Sequence, residues 1–209
     1  MGRPVVVKTD RNYGGELERL VLRGRAPRAW DDLRVRLSRH PWRIRRWLST
    51  RDYAVLESVS AVPEDVWRNP HLVVERFLPE REDDLYVLRT LTLFGDCWVS
   101  RRTTSASPVV KSGNAVRVDD VEPHPDVFAA ARRLGLDRGK VDYVLHGGRA
   151  VVLDANRTNT MGRAMTPQRI HETFHRLAPG LRSFWPPRSS RAPEPLPPPD
   201  PLESGEGQS

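Results

Sequence analysis

Residues 134–161, LGLDRGKVDYVLHGGRAVVLDANRTNTM, constrain this chain more than any other stretch. KVDYVL and AVVLDAN are short, rich in Val and Leu and flanked by turn residues, so they read as two strands joined by a tight glycine turn. Lys140, Asp142, Asp154 and Asn156 interrupt that apolar pattern. Strand side chains alternate faces, so Lys140 and Asp142 share one side of the first strand, and Asp154 and Asn156 share one side of the second. The loop decides whether those two sides coincide. A two-residue Gly147-Gly148 turn pairs His146 with Arg149, sets Asp142 opposite Leu153 and sends the carboxylates to opposite faces. A three- or five-residue loop pairs Asp142 with Asp154 and Lys140 with Asn156, because one residue of slip moves every side chain across the sheet. The odd loop is the expectation, with a glycine in the left-handed position.

The ground for that expectation is electrostatic. Two carboxylates facing each other across a ladder lie about 5 Å apart and repel, and a cation between them removes the cost. Two carboxylates and an amide oxygen make an all-oxygen set suited to Mg²⁺, which keeps some waters and takes phosphate oxygens in its remaining positions. The plainer alternative is a solvated sheet face that carries charges.

This segment resembles the C-terminal signature of the ATP-grasp superfamily, the fold of D-alanine–D-alanine ligases and glutathione synthetases. In that family a strand with Arg/Lys-x-Asp precedes a strand ending in Glu/Asp-x-Asn, then Thr and small residues. Here these are Lys140-Val141-Asp142, then Asp154-Ala155-Asn156, then Arg157-Thr158. The chain departs downstream, with Asn159-Thr160-Met161-Gly162 where the family often has Pro-Gly, in the loop that meets the acceptor substrate. The resemblance implies an α+β fold: an ATP-grasp core of mixed or antiparallel sheets with flanking helices. It implies ATP and Mg²⁺ as cofactors, with Asp142, Asp154 and Asn156 as metal ligands and Lys140 as a catalytic cation.

Composition sharpens this. Of 34 Lys and Arg residues only three are Lys: Lys8, Lys111 and Lys140. Ordinary basic positions in this chain have taken Arg, so the lysines stand out. An ammonium is a compact point charge suited to phosphate, whereas guanidinium is a broad planar fork. The single cysteine, Cys97, allows no intrachain disulfide and is expected to be a small buried residue, as in a reducing compartment. No apolar run approaches the ~20 residues that span a bilayer, and the N-terminus shows no apolar signal-peptide core. A cytoplasmic protein is expected.

Taken in order, PVVVK (4–8) reads as a buried strand, followed by the turn-rich TDRNYGGELERL. Strand, lysine and glycine loop resemble the start of the ATP-grasp core, where Lys8 would reach ATP phosphates and backbone N–H groups near Gly14 and Gly15 would cradle them. Residues 16–47 read as two or three short amphipathic helices broken near Pro27 and Pro41. Arg34, Arg36, Arg39, Arg43, Arg45 and Arg46 give them a basic surface. Clustered Arg neutralises nucleic-acid phosphates, but no nucleic-acid module accompanies it, and a solvated face is the expectation. YAVLESV (53–59) and HLVVERFLPE (71–80) read as strands, and the segments around Gly95-Asp96 as a hairpin.

By its resemblance to the family's linker strand, residues 72–77 would place Glu75 and the Phe77 backbone at adenine. One of Glu82, Asp83 and Asp84, taken here as Glu82, would bind the ribose. Arg89 sits mid-strand, where an unpaired charge is costly, and is expected to pair with a phosphate or a carboxylate and to act in catalysis. Lys111, before Gly113-Asn114, would add a second cation near the triphosphate or the acceptor. Residues 125–134 and 166–177 read as helices. His171 and His175, four apart, lack the Glu that a zinc protease carries and read as helix surface. Residues 186–209 are too rich in Pro and Ser to bury a core and are expected to be a disordered tail.

Three segments are therefore expected: 1–70, a partial N-terminal subdomain; 71–185, the C-terminal subdomain; and the tail. The resemblance runs from about residue 4 to 162 and leaves out the family's front end. Upstream sequence or a separate chain would supply that part, or the protein is an inactive relative. The implied reaction is ATP-dependent ligation of a carboxylate to an amine or other nucleophile through an acyl phosphate. The alternative is a non-enzymatic nucleotide-binding remnant or an Arg-rich binding module.

Overall fold

Val5, Val7 and Thr9 point inward from the first strand while Val6 and Lys8 point outward, so a five-residue run already has one dry and one wet face. In the computed structural model, which describes residues 2–11, 28–49, 52–158 and 165–185, this strand (β1, Val5–Thr9) is the centre of a three-stranded antiparallel sheet. Its neighbours are β2 (Ala54–Leu56) and β3 (Leu72–Arg76). Val5 and Val7 bury against Val62, Val66 and Leu72, with Val66 supplied by the short helix α3 (Glu64–Trp67). Helices α1 (Arg28–Leu37) and α2 (Pro41–Ile44) precede it. Asn69 anchors the region, its Nδ2 donating to the carbonyls of Trp42 and Arg45 at 2.7 Å each.

The larger sheet contains β4 (Glu80–Glu82), β5 (Leu85–Phe94), β6 (Cys97–Ser105), β7 (Arg117–Asp120), β8 (Arg138–His146) and β9 (Arg149–Asn156). Its order is β7-β6-β5-β8-β9, all antiparallel, with β4 pairing a free stretch of β5. Leu91, Leu93, Val141 and Tyr143 line one face and are covered by Val127 and Ala131 of helix α4 (Pro125–Arg133). That helix starts where the His124 side chain accepts from the Asp126 N–H, with Pro in the first turn, and ends before Gly135 at φ +61°. Helix α5 (Pro167–Leu177) lies over β6 on the opposite face, where Arg101 donates to Thr173 Oγ1 at 2.6 Å.

The fold is α+β, with antiparallel sheets and few helices among the described residues. Several expectations shift in detail. The strand expected over 53–59 is only Ala54–Leu56 and gives way to a 3₁₀ turn at Val59–Ala61. The stretch 71–80 is broken before Pro79, which has no N–H for a ladder, into β3 and β4. β3 pairs with β1, so the change of sheet comes after residue 76. Cys97, expected to be buried, is half-exposed at the mouth of the β5–β6 hairpin. Of the helical stretch expected over 16–47, the part before residue 28 lies outside the described residues, as do Gly14, Gly15, Asn159, Met161 and the 186–209 tail. Among the described residues no helix is long and apolar enough to cross a membrane.

Candidate functional site

The turn between β8 and β9 is the two-residue one. His146 pairs with Arg149, and Gly147 and Gly148 both take positive φ, 58° and 75°. That geometry matches the twist of the flanking strands and suits glycine at both positions, so the odd loop expected from sequence does not form. Yet Asp142 pairs with Asp154, and Lys140 with Asn156. The difference is made by a bulge: Tyr143 pairs with Val152 while its neighbour Asp142 pairs with Asp154, leaving Leu153 as an extra residue with no partner in the ladder. Ala150, Val152 and Ala155 therefore all pack on the core, a spacing of two and then three. Leu153 is left 49% exposed. The two acids, the amide and the lysine share one face through a device that alternation alone does not reveal.

On that face Lys140 Nζ lies 2.8 Å from Asp142 Oδ2, and Thr90 Oγ1 donates to Asp142 Oδ1 at 2.9 Å. Asn156 Nδ2 donates to Asp154 Oδ2 at 2.7 Å, which turns its own amide oxygen away from that carboxylate. Gly139, beside Lys140, has φ +140°, and a Cβ there would lie 2.2 Å from the Asn156 carbonyl. The missing side chain lets the end of β9 approach β8 at the level of the cluster. Neither Thr90 nor Gly139 was singled out from sequence. The available signal was the alternation Thr90-Leu91-Thr92-Leu93, which puts hydroxyls on the face opposite the core.

Lys111 joins from the β6–β7 connection. Its N–H donates to Asn114 Oδ1 at 2.8 Å, and Asn114 Nδ2 donates to Val109 O, so the loop is pinned on both sides. The residue keeps accessible surface, yet protein crowds its ammonium, and that desolvation lowers its pKa below the usual lysine value. Asp142 pulls it back up, Lys140 pushes it down, Asp154 pulls up and Lys8 pushes down. Lys111 thus feels the other two lysines of the chain and the Asp142–Asp154 pair, one of those lysines from the smaller sheet. Lys8 is itself held by Glu75 at 2.8 Å, on the outward face of β1 and β3.

Other expected site residues lie elsewhere. Arg89 pairs with Tyr143 in the ladder and so faces the opposite side of the sheet from Asp142. Its guanidinium is held by Glu80, with Nη2 and Nε each 2.8 Å from Oε1, and Glu80 also accepts from the Leu145 N–H at 2.6 Å. Its partner is a carboxylate of the chain. Glu82 is bound by Arg102 at 2.6 Å and Arg117 at 3.2 Å, and both arginines also hold Asp119, closing a four-membered charge ring. The Phe77 N–H extends the β3–β1 ladder to the Pro4 carbonyl at 2.9 Å, so of the backbone groups expected at adenine, that donor is already used.

As a cation site the cluster offers two carboxylates and an amide oxygen, a hard donor set of the kind Mg²⁺ takes. Both Asp142 oxygens are engaged within the protein, by Thr90 and Lys140, whereas Asp154 is exposed. Among the described residues no group of three or more His, Cys, Asp or Glu is placed to hold a metal. Comparison with protein-family models finds no match, and comparison with curated proteins finds none either.

Proposed function

We propose that the surface around Lys8, Lys111 and Lys140 binds ATP with Mg²⁺, that the chain carries an ATP-grasp core, and that it takes part in ATP-dependent ligation of a carboxylate to an amine. One observation carries the reading. A chain that places Arg at almost every basic position keeps three lysines, and one of them, Lys111, is desolvated and lies within electrostatic reach of Lys140, Lys8, Asp142 and Asp154. Lys140 is paired with Asp142 and Lys8 with Glu75, so Lys111 adds a further cation to that surface, and a triphosphate is an anion of suitable charge for that place. Asp142, Asp154 and Asn156 would hold the metal, which when bound would screen phosphate charge. The lysines orient and neutralise the phosphate oxygens; Thr90 and Lys140 fix the Asp142 carboxylate. Charge placement of this kind supplies most of the catalysis in phosphoryl transfer, and no protein nucleophile is required.

The first experiment is thermal stabilisation of the full chain by ATP with and without Mg²⁺, in the wild type and Asp154→Ala. A shift that needs Mg²⁺ and vanishes in the variant supports the reading; no shift with any nucleotide ends it. ADP release across pairs of carboxylates and amines then tests ligation itself. A second reading draws on the exposed arginines of α1, α2 and their flanks, Arg34, Arg36, Arg39, Arg43 and Arg46: a surface for an acidic partner. Salt-sensitive DNA binding without ATP would favour it.

A further inference from the structure

A second concentration of positive charge lies where α5 crosses β6 and β7. A cavity of about 550 Å³ opens there, lined by Arg101, Asp120, Arg169, His171, His175 and Arg176, with Glu172 at its edge. Arg101 and Arg176 both contact Asp120, and Arg101 also donates to Thr173 Oγ1. Arg169 donates through Nη2 to the Val118 carbonyl at 2.9 Å. These bonds splay the three guanidinium groups around the opening but use only part of the five N–H donors that each carries. Three fixed cations face two carboxylates, so the cavity is positive even with both histidines neutral.

The helix leaves that charge uncompensated. The first turn of α5 contains no acidic residue and instead carries Arg169, at the positive end of the helix dipole, where a cation is disfavoured and an anion is favoured. His171 and His175 stack one turn apart, their ring centroids 6.3 Å from each other, and bring ring nitrogens to the same opening.

We propose that this cavity binds a small polyanion, a molecule with two or more negative charges on phosphate or carboxylate oxygens, on the same face of the larger sheet as Asp142 and two strands away from it. Arg169 and Arg176 are exposed and present their spare donors to the ligand; Arg101, braced by Thr173, forms the floor.

The test is titration of the full chain with pyrophosphate, and separately with citrate, following the side-chain NMR signals of His171 and His175. Saturable shifts of both histidines below millimolar concentration are expected. The same affinity is expected in Lys140→Ala, which separates this site from the lysine surface. Arg169→Gln and Arg176→Gln should each weaken binding about tenfold, whereas Arg132→Gln on α4, an equal change of net charge, should leave it unaltered. A response to pyrophosphate alone assigns phosphate ligands, and an equal response to citrate assigns carboxylates; either supports the site. No saturable shift with either probe, or equal weakening by all three Arg substitutions, overturns it.

Discussion

At the scale of single residues, burial and pairing separate groups whose partners the chain itself supplies from groups left open to solvent. Arg89 and Glu80 are only 17% and 12% exposed at their side chains. Removing one partner leaves the other buried and unpaired, which costs about 3 kcal/mol or more. Arg89→Ala should therefore lower Tm by roughly 6–12 °C in a chain of this size, without changing the further shift produced by Mg²⁺ and ATP; a lost nucleotide shift in a folded variant would restore Arg89 to the site. Lys111 behaves in the opposite way. Its folded pKa lies below its unfolded value because protein desolvates the ammonium, so between the two values the unfolded chain binds more protons and stability rises with pH. Urea unfolding from neutral pH toward pH 10.5 should show this rise, and Lys111→Met should flatten it. A polyanion bound beside Lys111 should raise that pKa again, so nucleotide binding in the alkaline range should be accompanied by proton uptake, measurable by calorimetry in buffers of different ionisation enthalpy.

At the scale of elements, the β8–β9 hairpin turns a two-residue turn into the register of an odd loop. Leu153 is the residue that makes up the count. Deleting it should leave a regular ladder in which Asp142 still faces Asp154, so the variant should fold, stay within about 1 kcal/mol of the parent and keep any Mg²⁺-dependent response to ATP. If the deletion abolishes that response while the fold survives, the bulge itself shapes the site. Gly139→Ala should be far worse. It places a methyl group 2.2 Å from the Asn156 carbonyl at a φ of +140°, a conformation costing roughly 1–3 kcal/mol for other residues even without the clash. A lower Tm with weakened nucleotide stabilisation is the expected result.

At the scale of the whole molecule, Lys111 feels charges from both sheets, Lys8 on β1 and Lys140, Asp142 and Asp154 on the larger sheet. Lys8→Ala should therefore reduce the ATP-induced Tm shift about as much as Lys111→Ala; an unchanged shift would confine the site to the larger sheet. Much of this was legible in the chain, because its signals are local. Alternating Val and Leu mark strands, Pro and Gly bracket α4, and the rarity of lysine picks out three positions. Arg89 was legible as a charge in need of a partner, but not which partner, because Glu80 reaches it only once β4 folds back on β5. The grouping of Asp142 with Asp154 followed from electrostatics, while the loop that was to produce it was wrong. Turn type is local to two glycines, whereas a bulge is settled by which side chains the core accepts. What the sequence determined by itself was the composition of the site: the acids, the amide and the lysines, and which of them sit at alternate positions of one strand. Tertiary structure alone decided that Leu153 would be left over, that Arg89 would face away, and that Lys8, on the smaller sheet, would come within electrostatic range of Lys111. Register and the approach of two sheets depend on packing between residues far apart in the chain, and no local pattern records them.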